Sequence, residues 1–200
     1  INGIYLKPCP LYALNLEDPV ISKDFENIDL LNVERPILYN FIGGYQLNYL
    51  TQIRPNIFKM KHPENTVIKN NGIWHLEKLV YDPKQTHKLE LNLNDDHINK
   101  TKYYNELLIK SRYTLAPSGS GPNSIRFWEA LGACSIPILL ADTLELPKHD
   151  LWNDAIIFMK ESDITSLPEK LANISKDKER KMRENCLKIY NDLKNNFVNI

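Results

Sequence analysis

The sequence has no excess charge of either sign, since 25 basic residues offset 25 acidic ones. That balance argues against bulk nucleic-acid binding and against an anionic membrane surface as partner. Cysteine is scarce: Cys9, Cys134 and Cys186 are far apart and odd in number. They form neither a disulfide framework nor a zinc pattern, which points to a reducing compartment. No apolar run approaches the roughly 20 residues of a spanning helix, and no signal-like start is visible. No H-E-x-x-H, G-x-S-x-G or Walker sequence occurs, so a metalloprotease, a serine hydrolase and a P-loop NTPase are unsupported. Internal repeats and low-complexity tracts are also missing. The sequons Asn99-Lys-Thr101 and Asn173-Ile-Ser175 read as chance in so Asn-rich a chain. The chain starts at Ile1 rather than Met, which is expected of a processed or excised piece.

What remains is the composition of an ordinary globular protein, 42% apolar and 25% charged over 200 residues, enough for one sizeable core. Residues 1–34, with Pro8, Pro10 and Pro19, read as a linker or the tail of something larger. From residue 35 to residue 200, apolar runs alternate with helical spacing. Ile37–Ile42 reads as a buried strand ending at Gly43-Gly44, and Tyr45–Ile53 as a helix interrupted by Pro55 with a restart near Asn56. Short strands are predicted at Val67–Ile68, Gly72–Leu76 and around Leu89, Leu91 and Leu93, and a helix over Thr101–Ser111. Tyr113–Ala116 and Ile136–Ala141 are buried strands, and Ala155–Met159 is strand-like. Ser166-Leu-Pro-Glu169 has the form of a capping box. Lys176–Phe197 is a polar helix with a narrow stripe of Met182, Leu187, Tyr190 and Leu193. Strands alternating with helices give an α/β class with a parallel sheet covered on both faces.

The densest signal is Gly119-Ser120-Gly121-Pro122-Asn123-Ser124, a glycine loop between a strand and a short helix. Such loops bring backbone amides and a helix N-terminus to a phosphate, and Ser118, Ser120 and Ser124 add hydroxyls. The plainer alternative is a tight turn with Asn123 or Ser124 capping the helix. Arg126 and Glu129 follow at i and i+3. Together they suit a pyrophosphate and a ribose, or form a surface ion pair, while Phe127, Trp128 and Leu131 pack inward. Asp142 and Glu145 follow the carboxyl end of a strand, where ligands bind in open α/β sheets, or belong to a solvated loop. Gly43-Gly44 lines the same crevice or makes a plain turn. Arg54 and Lys59 read as surface charges within reach of a phosphate, and His149 as a solvated loop residue. Trp74-His75 and Trp152 read as core or interface aromatics, and Lys176–Arg183 as a solvated helix face.

Residues 113–147, with the Leu151-Trp152 segment, resemble the exostosin family of glycosyltransferases. The matching residues are Pro117, Gly119, Ser124, Arg126, Glu129, Ala130, Ile136, Pro137, Glu145, Leu146 and Pro147. A weaker echo runs over Arg35–Gly44, and little compares between Lys61 and Lys100. The resemblance implies one Rossmann-like half of a GT-B glycosyltransferase, the half that binds a nucleotide-sugar, usually a UDP-sugar. It assigns the diphosphate to the 119–124 loop and Arg126, and the ribose to Glu129. It also implies inversion at the anomeric carbon without a metal or other cofactor, the nucleotide-sugar being a co-substrate. Asp95-Asp96 would point opposite ways on a strand, so no Asp-x-Asp metal pair is expected. The basic residue that often follows the loop proline is Ser118 here. A complete two-domain enzyme needs about 300 residues, so the glycan-acceptor half, with the general base, is expected elsewhere, in a further domain or another chain. Asp142 and Glu145 are the local carboxylates to test as base. The alternatives are a nucleotide- or glycan-binding module without turnover and a fucosyltransferase-like enzyme using a GDP-sugar. The Asn/Lys/Ile-rich composition suggests surface polysaccharide synthesis in a microbe, in the cytoplasm at the inner membrane; a eukaryotic origin would place the chain in the Golgi lumen.

Overall fold

The structure, a computed structural model, describes residues 7–72 and 95–198. The expected strands around 73–93, and Trp74 and His75, lie outside the described residues. Five strands, β1 (Ile37–Gly43), β2 (Val67–Asn70), β3 (Ser111–Pro117), β4 (Ile136–Leu140) and β5 (Ile157–Phe158), form a parallel sheet ordered β2-β1-β3-β4-β5. In β3 and β4 nearly every residue is buried, as expected where helices cover both faces. The chain winds outward from β1 to β2, then back across to β3. Right-handed crossovers therefore place the connecting helices on opposite faces and open a crevice at the carboxyl ends of β1 and β3.

The helices are α1 (Leu14–Glu17), α2 (Ile53–Lys59), α3 (Asp95–Lys110), α4 (Ile125–Gly132), α5 (Trp152–Ala155), α6 (Leu167–Ala172) and α7 (Lys176–Val198). Short 3₁₀ turns occupy Ser22–Phe25 and Glu161–Ser166. α7 packs on α4 and α5 through Met182, Cys186, Ile189 and Leu193, while Leu187 and Tyr190 are only half-buried. The seam follows i, i+4, i+7, i+11, one step round the helix from the expected stripe. Among the described residues no helix is long and apolar enough to cross a membrane.

Several elements differ from their expected positions. Residues 45–52 are not helical, and α2 begins at Ile53, where a helix was predicted to end. Pro55 falls in the first turn of α2, where its missing N–H costs nothing, so it starts this helix rather than breaking one. Leu47, within the expected helix, is 93% exposed. Asp95 and Asp96 open α3 rather than a strand. Residues 152–155, partly read as strand, are helical, which leaves β5 two residues long. The capping box at Ser166 does not form: its hydroxyl donates back to the Asp163 carbonyl at 2.8 Å, because a 3₁₀ turn runs straight into α6.

The segment before Arg35 lies against the sheet domain. Ala13 is fully buried in the main core, α1 packs on α4, and Asn15 Nδ2 donates to Asn105 Oδ1 at 2.6 Å. Asn105 Nδ2 in turn donates to Asp24 Oδ2 at 2.9 Å. Arg35 closes this segment onto the domain. Its guanidinium donates to the carbonyls of Leu108 (2.7 Å), Ser111 (2.8 Å), Leu30 (2.9 Å) and Ala133 (2.8 Å).

Candidate functional site

The crevice between β1 and β3 is built by two loops that bind each other. β1 ends at Gly43-Gly44, and β3 runs into 118–124. The Ser118 amide donates to Leu140 O at 2.9 Å, and the Leu50 amide, from the loop after β1, donates to Gly119 O at 2.8 Å. Ser124 stands at the N-cap of α4 in an extended conformation but makes no side-chain cap. Asn123 does not cap either, since its Oδ1 accepts the Trp128 indole N–H at 2.8 Å. The leading amides of α4 therefore face the loop without a side-chain acceptor, the condition for an anion at a helix start.

Two guanidiniums converge on this place from opposite faces of the sheet. Arg54, on α2, is 6% exposed. Its Nε donates to Ser118 O at 2.8 Å and its Nη1 to Gly44 O at 3.0 Å. Its Nη2 has no hydrogen-bond partner among the described residues and lies 2.8 Å from where a Cβ on Gly119 would stand. Only glycine at 119 admits that approach. Arg126, on α4, is half-buried and donates from Nη2 to Ile42 O at 2.7 Å, while its Nε is buried without a partner. Both guanidiniums lie over the Phe41 ring, 5.6 Å (Arg54) and 5.2 Å (Arg126) from its centroid, and Arg54 also stacks on Tyr49 at 4.7 Å. Burial, and then the charge of Arg126, bring Arg54 down to about 10. Among the described residues no carboxylate reaches ion-pair distance of either. Two cations side by side with no ion pair are costly, and a dianion between their free edges would offset that cost.

Arg54 is the residue sequence reading undervalued as a surface charge. The usable signal was its position in the first turn of a helix that follows a strand and Gly-Gly, mirroring Arg126. Lys59, by contrast, is exposed at the far end of α2.

Glu129, expected to face a ribose, is 4% exposed, and its Oε1 accepts the backbone amide of Asn15 at 3.3 Å. Burial raises it to about 7, against the opposing pull of Arg126, the Asn15 amide and the nearby Tyr104 hydroxyl. That hydroxyl makes no well-formed hydrogen bond of its own. A carboxyl raised from 4.5 on folding is held protonated more tightly by the folded chain. Its stabilisation is complete below the unfolded value and is lost as pH climbs to about 7, a swing of up to about 3 kcal/mol. The melting temperature is therefore expected to fall between pH 5 and pH 8. In Glu129→Gln most of that slope disappears. A slope equal to wild type in calorimetric scans would refute the assignment.

The remaining expected residues divide. Gly43, Gly44, Ser118, Gly119 and Arg126 gather at the crevice. Gly121 accepts the Gly119 amide at 2.9 Å, which makes the tight turn of the loop, with Ser120 exposed at its tip. Asp142 is exposed and accepts the Glu161 amide on Oδ1 at 3.0 Å. Glu145 is exposed, and no hydrogen bond or ion pair joins it to the loop among the described residues. His149 is not free in solvent: its Nε2 meets Asp192 Oδ2 at 3.2 Å and its Nδ1 accepts the Leu151 amide, fastening the loop to α7. Trp152 packs in the core against Phe127 and Trp128, as expected. The basic face of α7 is only partly solvated, because buried Glu179 binds Arg183 and Arg112. Sequence reading missed Thr51 and Glu161, which join Ser118 from other loops and carry no local motif. Among the described residues no three His, Cys, Asp or Glu side chains converge as metal ligands.

Comparison with known proteins identifies the family of the chain. The Exostosin GT47 domain matches residues 11–174. An exostosin-1 homolog of Caenorhabditis elegans is 27% identical over 176 residues, 84% of this chain and 44% of the relative. Exostosin-1b of Danio rerio is 33% identical and exostosin-1 of Mus musculus 32% identical, each over 103 residues, 50% of this chain and 14% of the relative. The chain thus spans less than half the length of the curated relatives it matches.

Proposed function

Because this chain belongs to the exostosin GT47 family, we propose that it holds a nucleoside diphosphate sugar in the crevice between β1 and β3 for transfer to a glycan acceptor. The observation that carries this reading is the pair Arg54 and Arg126, two guanidiniums with no carboxylate at ion-pair distance among the described residues, beside a glycine loop and an uncapped helix. In a sugar transfer the diphosphate leaves with its negative charge growing as the glycosidic bond breaks. Fixed cations and an uncapped helix start beside it would lower that barrier with no reorganisation at the moment of reaction.

In this reading the acceptor hydroxyl attacks opposite the departing diphosphate, inverting the anomeric carbon, and a carboxylate or imidazole of the acceptor half takes its proton. In this reading that half belongs to a further domain or to another chain. UDP is the nucleotide the family resemblance implies, and no metal is assigned, since the guanidiniums supply the counter-charge. The animal sources of the matched relatives favour the Golgi lumen over the microbial cytoplasm as the place of action.

Thermal-shift screening of UDP, GDP, ADP and CMP tests the reading. A nucleotide present at a hundredfold over its Kd is expected to add about 2.7 kcal/mol to folded-state stability, with UDP giving the largest shift. No shift from any of the four would defeat the proposal. A shift from GDP alone would move the donor to a GDP-sugar.

A further inference from the structure

A directed chain of hydroxyls crosses the floor of the crevice. Thr51 Oγ1 lies 2.9 Å from Ser118 Oγ, and Ser118 Oγ donates to Glu161 Oε1 at 2.8 Å. Because Ser118 has one proton and gives it to Glu161, Thr51 must donate to Ser118. The three residues come from the loop before α2, the end of β3 and the 3₁₀ turn after β5, so the fold brings them together across three strands. The Glu161 backbone is fixed by its amide bond to Asp142. The side chain is half-buried, makes no ion pair among the described residues, and has its second oxygen, Oε2, without a hydrogen-bond partner there.

This carboxylate stands next to the anion site, for the Ser118 that binds it by its hydroxyl also binds the Arg54 guanidinium by its carbonyl. A carboxylate beside a diphosphate repels it, so Glu161 is badly placed as a phosphate ligand. It is well placed for the group attached to the diphosphate. A pyranose presents adjacent hydroxyls, and a carboxylate with a free oxygen accepts them as charge-assisted hydrogen bonds. We infer that Glu161, held by Ser118 and Thr51, accepts hydroxyls of the transferred sugar and thereby separates binding of the whole donor from binding of its nucleotide. The inference rests on the proposed nucleotide-sugar site.

The test is calorimetric titration of wild type and Glu161→Gln, in EDTA, with UDP and with UDP-glucose, UDP-N-acetylglucosamine and UDP-glucuronic acid. Glutamine keeps an acceptor for Ser118, so the loop and the melting temperature should be preserved. UDP affinity is expected to hold or rise slightly as a repelling charge is removed. The nucleotide-sugar that wild type binds best is expected to weaken about tenfold, the order for hydrogen bonds to a charged acceptor. If UDP and the nucleotide-sugars fall together, or neither changes, Glu161 does not serve the sugar. Donor binding that appears only when Mn²⁺ replaces EDTA, and is lost with Glu161, would make it a metal ligand and overturn the inference. Failure of wild type to bind UDP at all would instead refute the site.

Discussion

Arg35→Met is expected to lose about 3–5 kcal/mol of folding stability, the cost of removing one side of a buried charged network. Arg35 is 7% exposed and makes no ion pair among the described residues; its charge is spread over four carbonyls. Leu108 O belongs to the last turn of α3, and Ala133 O caps the end of α4. These are the negative poles of two helices, where a cation is favoured. Ser111 O begins β3, and Leu30 O belongs to the segment leading in from α1. Burial, and then the charge of Arg183, bring Arg35 down to about 10, still well above neutral pH, so the side chain remains a cation in the fold.

Methionine would fill much of the volume and leave four carbonyls without their donor, each at a cost of about 1–3 kcal/mol if water cannot reach it. For a domain stable by about 5–15 kcal/mol this is a large fraction. Urea unfolding should show a much lower midpoint at unchanged slope. A loss below about 1 kcal/mol would mean that water replaces the guanidinium and that the segment docks without it.

Arg126→Ala is expected to weaken UDP binding by about 2 kcal/mol, roughly thirtyfold, with Arg54→Ala as bad or worse. The effect on stability should run the other way for Arg126. In the empty protein it adds a cation next to Arg54 and receives one carbonyl bond, to Ile42. Removing it relieves that repulsion, so the unliganded variant should melt at or above the wild-type temperature. Arg54 differs, because its bonds to Ser118 O and Gly44 O tie the two crevice loops together. Arg54→Ala is therefore expected to lose both affinity and stability. The double variant should bind UDP no worse than the two single losses summed, since the two cations repel each other and losing one relieves the other. Thirtyfold weaker binding with no loss of melting temperature is the mark of a group kept for its ligand. Unchanged UDP affinity in Arg126→Ala would remove it from the site.

How much of this was legible beforehand depended on how local the cause was. β1, β3 and β4 are apolar runs, buried because helices cover both faces, and the runs alone locate them. The glycine loop, Ser124 and Arg126 fall within ten residues of one another, and the structure keeps them together. Arg54 was hidden by Pro55, which looks like an interruption until the helix is seen to start just before it. Glu129 reads as an open acceptor in sequence. Its enclosure depends on the amide of Asn15, more than a hundred positions away, and no pattern in α4 announces that. Glu161 reaches Ser118 only because the turn after β5 folds back over the end of β4. His149 looked solvated because its partner, Asp192, lies on a helix that follows much later.

The measurement that bears most directly on the crevice as a diphosphate site is calorimetric titration of the wild-type chain with UDP and, separately, with uridine. Two guanidiniums and the helix start without a side-chain cap should make UDP bind at least about a hundredfold more tightly, since both phosphoryl groups would gain charge-assisted bonds that uridine lacks. Equal affinities, or heat from neither ligand, would contradict a role for Arg54 and Arg126 in holding the donor's phosphates.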